Sequence, residues 1–242
     1  MYQPNYTITD TLLARISEAE ALRTKIQTAP VQVAWLETIR LEALVRRAHF
    51  STAIEGNPLT LPEVEALAGA KKVELEDRAK REVLNYLAAL RWIARQSAKT
   101  PVTETAVLKL HRIIVAGLLE PKVVGAYKVS ANVIMSAGQV VYRPPGPHAA
   151  KSGTRALVQW LEGLGRATHP IATSACAHYE IARLHPFQDS NGRVGWPGPW
   201  LPGCSITEDS ILTTCLRWIN TSRRITKDIT RPSSGFAKKA KS

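Results

Sequence analysis

The chain of 242 residues has no apolar run of about 18 residues, the length at which a transmembrane helix becomes a candidate. Its N-terminus, MYQPNYTITD, lacks the basic and apolar regions of a secretory signal. Cysteine is scarce, and Cys176, Cys204 and Cys215 form no Cys-x-x-Cys pair, which argues against a zinc site and against a disulfide framework. These absences predict a reduced, cytoplasmic protein that is not associated with a membrane.

Acidic side chains are outnumbered, since 32 Lys and Arg oppose 20 Asp and Glu and give a net charge of +12. Such an excess is typical of proteins that bind nucleic acid. Residues 221–242 hold seven Lys or Arg and one Asp, so this tail carries half of the excess. The sequence shows no helix-turn-helix or zinc-finger pattern. Nucleic-acid binding is therefore the weakest of three functional hypotheses, and it depends on the tail alone.

Most of the chain has the composition and apolar spacing of helices. Thr60-Leu61-Pro62-Glu63 is a capping box that predicts a helix start, with Thr60 at the N-cap and Glu63 at N3. Thr103 is a second candidate N-cap. The predicted helices cover 8–27, 32–50, 61–67, 73–96, 104–118, 149–163 and 169–184.

One segment, 125–145, favours β-structure instead. Its β-branched and aromatic residues are split by Ser136-Ala137-Gly138, a turn signal that predicts a hairpin. Pro144-Pro145-Gly146-Pro147 ends it. The expected fold class is therefore mainly α with one small β-hairpin, and residues 197–242, rich in Pro, Gly, Trp and Lys, differ in character from the rest.

The stretch HPFQDSNGRVGW, from His185 to Trp196, concentrates groups that suit phosphate chemistry. Pro186 disfavours helical backbone at the residue before it, so the preceding helix should end near Leu184 and display His185 at its end. A histidine there can accept the proton of an attacking hydroxyl. For any single residue, a solvated turn with a capping histidine is the simpler interpretation; the ordered set favours chemistry.

The residues that follow the histidine could bind an anion and a metal. Asn191 and Gly192 tolerate left-handed backbone, and a helix that begins after them would direct free N–H groups into the loop. Arg193 adds a forked donor for a phosphate. Asp189 is a plausible Mg²⁺ ligand, since Mg²⁺ binds one carboxylate together with phosphates. Base, metal ligand and anion site together predict transfer of a nucleotide's phosphate group to a hydroxyl.

This stretch resembles the signature of the Fic family (Fic/Doc, Fido-domain), His-Pro-Phe-x-(Asp/Glu)-Gly-Asn-Gly-Arg-x-x-Arg. Two other segments are similar to the same family. GAYKVSANVIMSAGQVVYRPPGP, at 125–147, resembles the segment that holds the β-hairpin flap. STAIEGN, at 51–57, resembles the inhibitory motif (Ser/Thr)-x-x-x-Glu-(Gly/Asn), and its place ahead of the signature resembles the subclass with an N-terminal inhibitory helix.

The resemblance implies a Fic-type helical bundle with a hairpin flap. It divides the chain into an N-terminal helical region at 1–100, a core at 101–196 with the flap at about 127–143, and a divergent, partly disordered basic tail at 197–242. The implied activity is that of a protein adenylyltransferase, which moves AMP from ATP to a Ser, Thr or Tyr hydroxyl of a protein or of the chain itself. ATP is then the substrate and Mg²⁺ the cofactor, and a homodimer is left open.

The resemblance also assigns roles to individual residues. His185 would be the general base, and Asp189 would hold Mg²⁺. The phosphate pocket would be lined by Asp189, Ser190, Asn191, Gly192 and Arg193. The inhibitory motif would consist of Ser51, Glu55 and Gly56, with Glu55 intruding near the site of the γ-phosphate.

The sequence departs from the family pattern at three places. Ser190 replaces a glycine, which costs on the order of 1 kcal/mol if the position needs a positive φ. Trp196 replaces the second arginine, so Glu55 is expected to lose the partner which that arginine supplies. Pro197 and Pro199 are expected to cut the following helix short. A frameshift near codon 196 is one hypothesis for the change, and a divergent but functional C-terminus is the other.

Two functions within the family therefore stay open. The first is an adenylyltransferase whose activity is impaired by Ser190, Trp196 and the altered C-terminus. The second is a catalytically inactive remnant that binds a nucleotide or a protein without transferring a group.

Overall fold

The protein is described from a computed structural model, which covers residues 2–28, 33–70, 77–96, 100–136 and 138–195. Over these residues the chain is mainly helical with one hairpin, as the sequence predicts. The helices are α1 Asp10–Thr28, α2 Val33–Ile54, α3 Leu61–Gly69, α4 Arg78–Ala94, α5 Glu104–Ile114, α6 Pro147–Glu162, α7 Pro170–Leu184 and α8 Asn191–Gly195. The strands are β1 Ile134–Ser136 and β2 Gln139–Tyr142. None of the helices in these ranges combines the length and the apolar character that a membrane span requires.

The helix starts predicted at Thr60 and Thr103 are confirmed, whereas the helix predicted to begin at residue 73 begins at Arg78. The backbone N–H of Thr60 donates to Oε2 of Glu63 at 2.7 Å, as a capping box requires. Thr103 accepts a hydrogen bond from the backbone N–H of Ala106 and begins α5. Asp77 caps α4, a signal that the sequence analysis overlooked.

Two predicted helix ends are corrected. The second helix continues beyond residue 50 to Ile54, so the first part of the segment 51–57 is helical. The helix expected to reach residue 118 ends at Ile114, because Gly117 has φ 67 and lies against the side chain of Arg81. A side chain with a Cβ at Gly117 would collide with that guanidinium. The predictions made for 71–76 and for the tail from Trp196 to residue 242 lie outside the described residues.

The hairpin is shorter than the sequence suggests. The two strands pair antiparallel, with Met135 opposite Val140, and the register shifts between Ile134 and Met135. Every residue of β2 is exposed. Val129, a β-former, lies outside the strands and is 86% exposed. The hydroxyl of Tyr142 donates to the carbonyl oxygen of Arg183 at 3.0 Å, which ties the hairpin to the end of α7.

The buried apolar side chains form two clusters. The first joins α2, α3, α4 and α5 and includes Phe187 and Val194 from the signature stretch, so this stretch is part of the main core. The second lies between α6 and α7 around Trp160 and Cys176. Tyr2 packs its ring edge-on against Trp160 at 5.5 Å and covers this second cluster. In the signature stretch, Phe187 and Val194 thus pack with the first cluster and not with the second.

The end of α7 is held close to α6. Gly153 of α6 faces the side chain of Leu184 so closely that a Cβ in place of its hydrogen would overlap Leu184. Leu184 is 1% exposed and is the last residue of α7. Close packing therefore fixes the position of the residue that directly precedes His185.

Candidate active site

His185 lies at the C-terminal end of α7 with left-handed backbone, φ 47 and ψ 57. Pro186 disfavours helical backbone at this position, and the helix ends at Leu184 as the sequence predicts. Nδ1 of His185 lies 3.2 Å from the carbonyl oxygen of Ala182, which assigns the ring proton to Nδ1. The lone pair is then on Nε2, the form that a general base needs.

The electrostatics also favour a neutral imidazole. The pKa of His185 is lowered chiefly by burial; the Ala182 carbonyl opposes this, the charge of Lys128 lowers it further, and Asp189 raises it. At neutral pH the ring is therefore mostly uncharged and able to accept a proton.

The loop after the histidine is anchored by Phe187 and Asn191. Phe187 is fully buried, and its ring is stacked on that of His111 with centroids 4.1 Å apart. Asn191 accepts from the backbone N–H of Phe187 at 2.8 Å and donates to its carbonyl oxygen at 2.9 Å. The amide of Asn191 thus holds the loop in shape, a role that the sequence analysis did not assign to it.

His111 of α5 is a functional candidate that the sequence analysis missed. It is fully buried, and its Nδ1 accepts a hydrogen bond from the backbone N–H of Gly125 at 3.0 Å. Burial lowers the pKa of His111 to about 4, so the ring is neutral and the proton is on Nε2. Its position on the apolar side of α5 was the available signal. His111 thus contacts the signature loop through its ring stack with Phe187.

Ser190 has φ 63, so the position that the family pattern gives to glycine does adopt left-handed backbone. A Cβ in this left-handed backbone is strained, and serine here therefore costs on the order of 1 kcal/mol of stability relative to glycine. Ser190 is 3% exposed, and its hydroxyl has no hydrogen-bond partner within the described ranges. Its backbone N–H donates to Oδ1 of Asp189, whose own side chain is 45% exposed.

Arg193 is the third residue of the short helix α8, and its side chain is only 6% exposed. Its Nη1 lies 3.6 Å from Oε2 of Glu82, and its Nη2 lies 4.0 Å from Oδ1 of Asp189. Neither Nε nor Nη1 donates a hydrogen bond to any described residue. Buried guanidinium donors without acceptors are costly, so this geometry suits an anionic ligand that supplies the missing oxygens.

Glu82 was not identified from the sequence. It belongs to α4, and local spacing shows only its pairing with Arg78 one turn earlier, at 3.3 Å. The same carboxylate accepts from Nδ2 of Asn57 at 3.1 Å. Glu82 thereby links the end of the segment 51–57 to Arg193, a tertiary relationship that no spacing along the chain indicates.

Glu55 follows α2 in a turn that Gly56 completes with φ 90. Its carboxylate lies on Gly192, where a Cβ would collide with Oε1 of Glu55. Burial raises the pKa of Glu55; the charge of Arg193 opposes that shift, and Asp189 raises the pKa further. Trp196 lies outside the described residues, and the positive charge that acts on Glu55 comes from Arg193.

The structure therefore brings most of the predicted site residues together. The turn after α7 and the start of α8 bring together His185, Asp189, Ser190, Asn191, Gly192 and Arg193, and Glu55 contacts α8 from the turn that follows α2. Ser51 differs, because it is buried within α2 at 4% exposure, against Tyr86 of α4. Ser51 thus packs in the core between α2 and α4.

The chain is similar in sequence to known Fic proteins. A model of the Fic/DOC family matches residues 101–197. "Protein adenylyltransferase Fic" of Drosophila willistoni is 27% identical over 186 residues, which is 74% of this chain and 36% of that protein. The protein of the same name from Drosophila melanogaster is 28% identical over 165 residues, 66% of this chain and 32% of that protein. The chain spans about a third of the length of these relatives.

Solved structures show the same fold. A Fic family protein from Desulfovibrio desulfuricans matches with a TM-score of 0.72 and 26% identity, covering 94% of this chain and 70% of that one. Fic-1 from C. elegans matches with a TM-score of 0.65 and 22% identity, covering 89% and 66%. The helical bundle with a small hairpin is therefore of the Fic type, and the family expected from the signature is confirmed. Residues 101–197 belong to the Fic/DOC family, and the chain resembles Fic proteins over most of its length.

Proposed function

We propose that the chain is a protein adenylyltransferase that moves AMP from ATP to a hydroxyl side chain of a protein, or of the chain itself. The observation that carries the proposal is the buried Arg193 of α8, whose Nε and Nη1 donate no hydrogen bond to any described residue. A phosphate oxygen would satisfy both donors. The names of the Drosophila relatives support the same activity.

The proposed reaction uses the residues in separate roles. Nε2 of His185 takes the proton from the acceptor hydroxyl, whose oxygen then forms a bond to the α-phosphorus of ATP. The bond from that phosphorus to the bridging oxygen breaks, and pyrophosphate leaves. Arg193 and the backbone N–H groups around Gly192 hold the phosphate oxygens and stabilise the charge that develops. Asn191 keeps the loop in the geometry that these contacts need.

Mg²⁺ fits this site as a partner of the nucleotide. Asp189 offers one partly exposed carboxylate, and the described residues contain no group of three or more His, Cys, Asp or Glu that could hold a metal by themselves. Mg²⁺ commonly binds one or two carboxylates together with substrate phosphates and water. Asp189 would hold the ion, and the ion would supply positive charge to the phosphates.

The second candidate is a family member that binds a nucleotide but does not transfer AMP. It is favoured by the carboxylate of Glu55 on Gly192 and by the left-handed backbone of Ser190. The Glu55 carboxylate opposes phosphate binding at the start of α8 by its negative charge, and the left-handed backbone of Ser190 costs stability there. In addition, Trp196 removes the second arginine of the family signature.

Two measurements on the full chain separate these candidates. Calorimetric titration with ATP and Mg²⁺ measures binding, and transfer of label from α-³²P-ATP to protein measures activity. We expect the wild type to bind and to transfer. His185→Ala should abolish transfer and keep binding, because the imidazole acts on the acceptor hydroxyl. His148→Ala, at an exposed position near the start of α6, is the matched control.

Each other outcome has a defined meaning. Binding without transfer in the wild type supports the inactive candidate. Absence of both contradicts any nucleotide role for Arg193. Equal labelling of the wild type and His185→Ala contradicts the assignment of the base.

The remaining assignments are proposals of the same kind. We place the protein in the cytoplasm and leave a homodimer open.

Nucleic-acid binding would require the basic tail 221–242, so DNA binding that weakens with salt and disappears when the tail is deleted would support it. The frameshift hypothesis predicts that an alternative frame near codon 196 encodes arginine followed by a proline-poor helix.

A further inference from the structure

The segment that leads into the hairpin is hydrogen-bonded to the turn at the end of α7. The backbone N–H of Lys128 donates to the carbonyl oxygen of Pro186 at 2.9 Å. The amine of Lys128 lies 3.4 Å from the carbonyl oxygen of Leu184, and the amide of Asn132 donates to the carbonyl oxygen of Phe187 at 3.1 Å. Three bonds thus connect two residues of this segment to three residues of the turn.

The side chain of Lys128 is buried. The residue is 3% exposed, and its amine donates to Oδ1 of Asn132 at 2.8 Å. Within the described ranges no carboxylate forms an ion pair with it. Burial lowers the pKa of Lys128, as expected for an ammonium without a counter-charge. A neutral side chain could fill this space at a lower cost in desolvation, so the charge itself calls for an explanation.

The position of His185 supplies that explanation. Its neighbours on either side, Leu184 and Pro186, both offer their carbonyl oxygens to Lys128. His185 is therefore half-buried in a turn to which Lys128 is bonded at two points, once through its backbone N–H and once through its amine. The charged groups that act on its ring are Lys128, which disfavours the imidazolium, and Asp189, which favours it.

We propose that Lys128 is a positioning residue for His185: its contacts to the two flanking carbonyl groups hold the left-handed turn, and its charge keeps the imidazole in the neutral form. The claim about charge rests on the proposed function, in which His185 acts as the base. Lys128 itself touches neither substrate nor reacting atoms in this scheme.

The titration of His185 followed by NMR tests the proposal without any need for activity. The His185 resonance is assigned as the one lost in His185→Ala. In Lys128→Met, which keeps an unbranched side chain but removes the charge, the titration midpoint of His185 should shift upward. Lys128→Arg restores a cation and should keep the wild-type midpoint. Lys122→Met, at an exposed position, is the matched control and should leave the midpoint unchanged.

A second variant covers the case in which Lys128→Met does not fold. Lys128→Gln keeps an uncharged donor that can reach the carbonyl oxygen of Leu184 but removes the charge, so it should also raise the midpoint of His185. An unchanged midpoint in the folded Lys128→Met or Lys128→Gln protein would overturn the proposal, even if thermal stability fell. If the wild type transfers AMP, the acidic limb of the pH profile of kcat should move upward in Lys128→Met, with the KM for ATP unchanged.

The two proposals can fail separately. A protein that transfers no AMP would contradict the proposed function, but the midpoints of the variants would still decide the role of Lys128. Conversely, an active protein whose His185 midpoint ignores Lys128 would retain its function and lose this inference.

Discussion

Oε2 of Glu82 lies 3.6 Å from Nη1 of Arg193, and both side chains are largely buried. The same oxygen accepts a hydrogen bond from Asn57. One carboxylate therefore joins α4 and the segment after α2 to the arginine proposed to hold phosphate. The carboxylate partly neutralises a guanidinium that would otherwise be buried without a counter-charge.

Glu82→Gln should lower the free energy of unfolding by roughly 2 kcal/mol, because it leaves Arg193 buried with less compensation. Urea unfolding at pH 7 measures the change. Glu65→Gln, at an exposed position of α3, is the control and should cost less than about 0.5 kcal/mol. Equal, small losses in both variants would show that the pair contributes little to stability.

Ser190→Gly should raise the free energy of unfolding by about 1 kcal/mol, because glycine adopts φ 63 without strain and removes a buried hydroxyl that lacks a partner. Ser190→Ala separates the two causes, since it removes the hydroxyl but keeps the Cβ in left-handed backbone. The gain in the glycine variant should exceed that in the alanine variant. The reverse order in urea unfolding would mean that backbone strain at this position is negligible.

His111 should make the protein less stable in acid. The folded protein holds the pKa of His111 at about 4, below its ordinary value of 6.5, so the unfolded chain takes up the proton first as the pH falls. Its contribution is fully present above pH 6.5 and decreases as the pH falls from 6.5 towards 4, by up to about 3 kcal/mol. Urea unfolding across this range should show a smaller decrease in His111→Gln than in the wild type.

The control for that experiment is His148→Gln, at an exposed position, which should keep the wild-type pH dependence. Subtracting each variant from the wild type removes the contributions of the other histidines. Parallel curves for the wild type and His111→Gln would show that this ring does not titrate on unfolding in the range.

Glu55→Gln should tighten the binding of ATP with Mg²⁺ by roughly tenfold, equivalent to about 1.4 kcal/mol, because it removes a negative charge from the surface of Gly192. Burial raises the pKa of Glu55, so wild-type affinity should itself improve as the pH falls and the carboxylate becomes protonated. That improvement should be absent from the variant. Glu42→Gln, an exposed position on α2, serves as the control in calorimetry. Unchanged affinity would contradict an inhibitory role for Glu55.

The turn at His185 could be predicted because its causes are local. Pro186 ends the helix, and Phe187 is apolar and becomes buried. The left-handed backbone expected at Asn191 and Gly192 occurs instead at Ser190, and α8 already begins at Asn191. The partners of this turn could not be predicted, because they come from distant parts of the chain. Glu82 and His111 lie on α4 and α5, and only the packing of those helices brings them to the turn.

For the hairpin, the local composition predicted longer strands than the chain forms. The β-branched residues around Val129 suggested a longer strand, but the backbone N–H of Lys128 binds Pro186 and not a neighbouring strand. The amide of Asn132 is likewise bonded to the turn, at Phe187. Composition therefore identified the hairpin, and tertiary hydrogen bonds decided where its strands begin.

The second apolar cluster contains a thiol that becomes exposed only when the cluster opens. Cys176 is 4% exposed beside Trp160, and burial raises the pKa of its thiol to about 11, so the closed protein should resist alkylation. Any reaction at this sulfur must then wait until α6 and α7 separate or the chain unfolds. The rate of alkylation of Cys176, with the modified peptide identified by mass, would therefore measure how often the second cluster opens. The first cluster, around Phe187, need not open for this reaction.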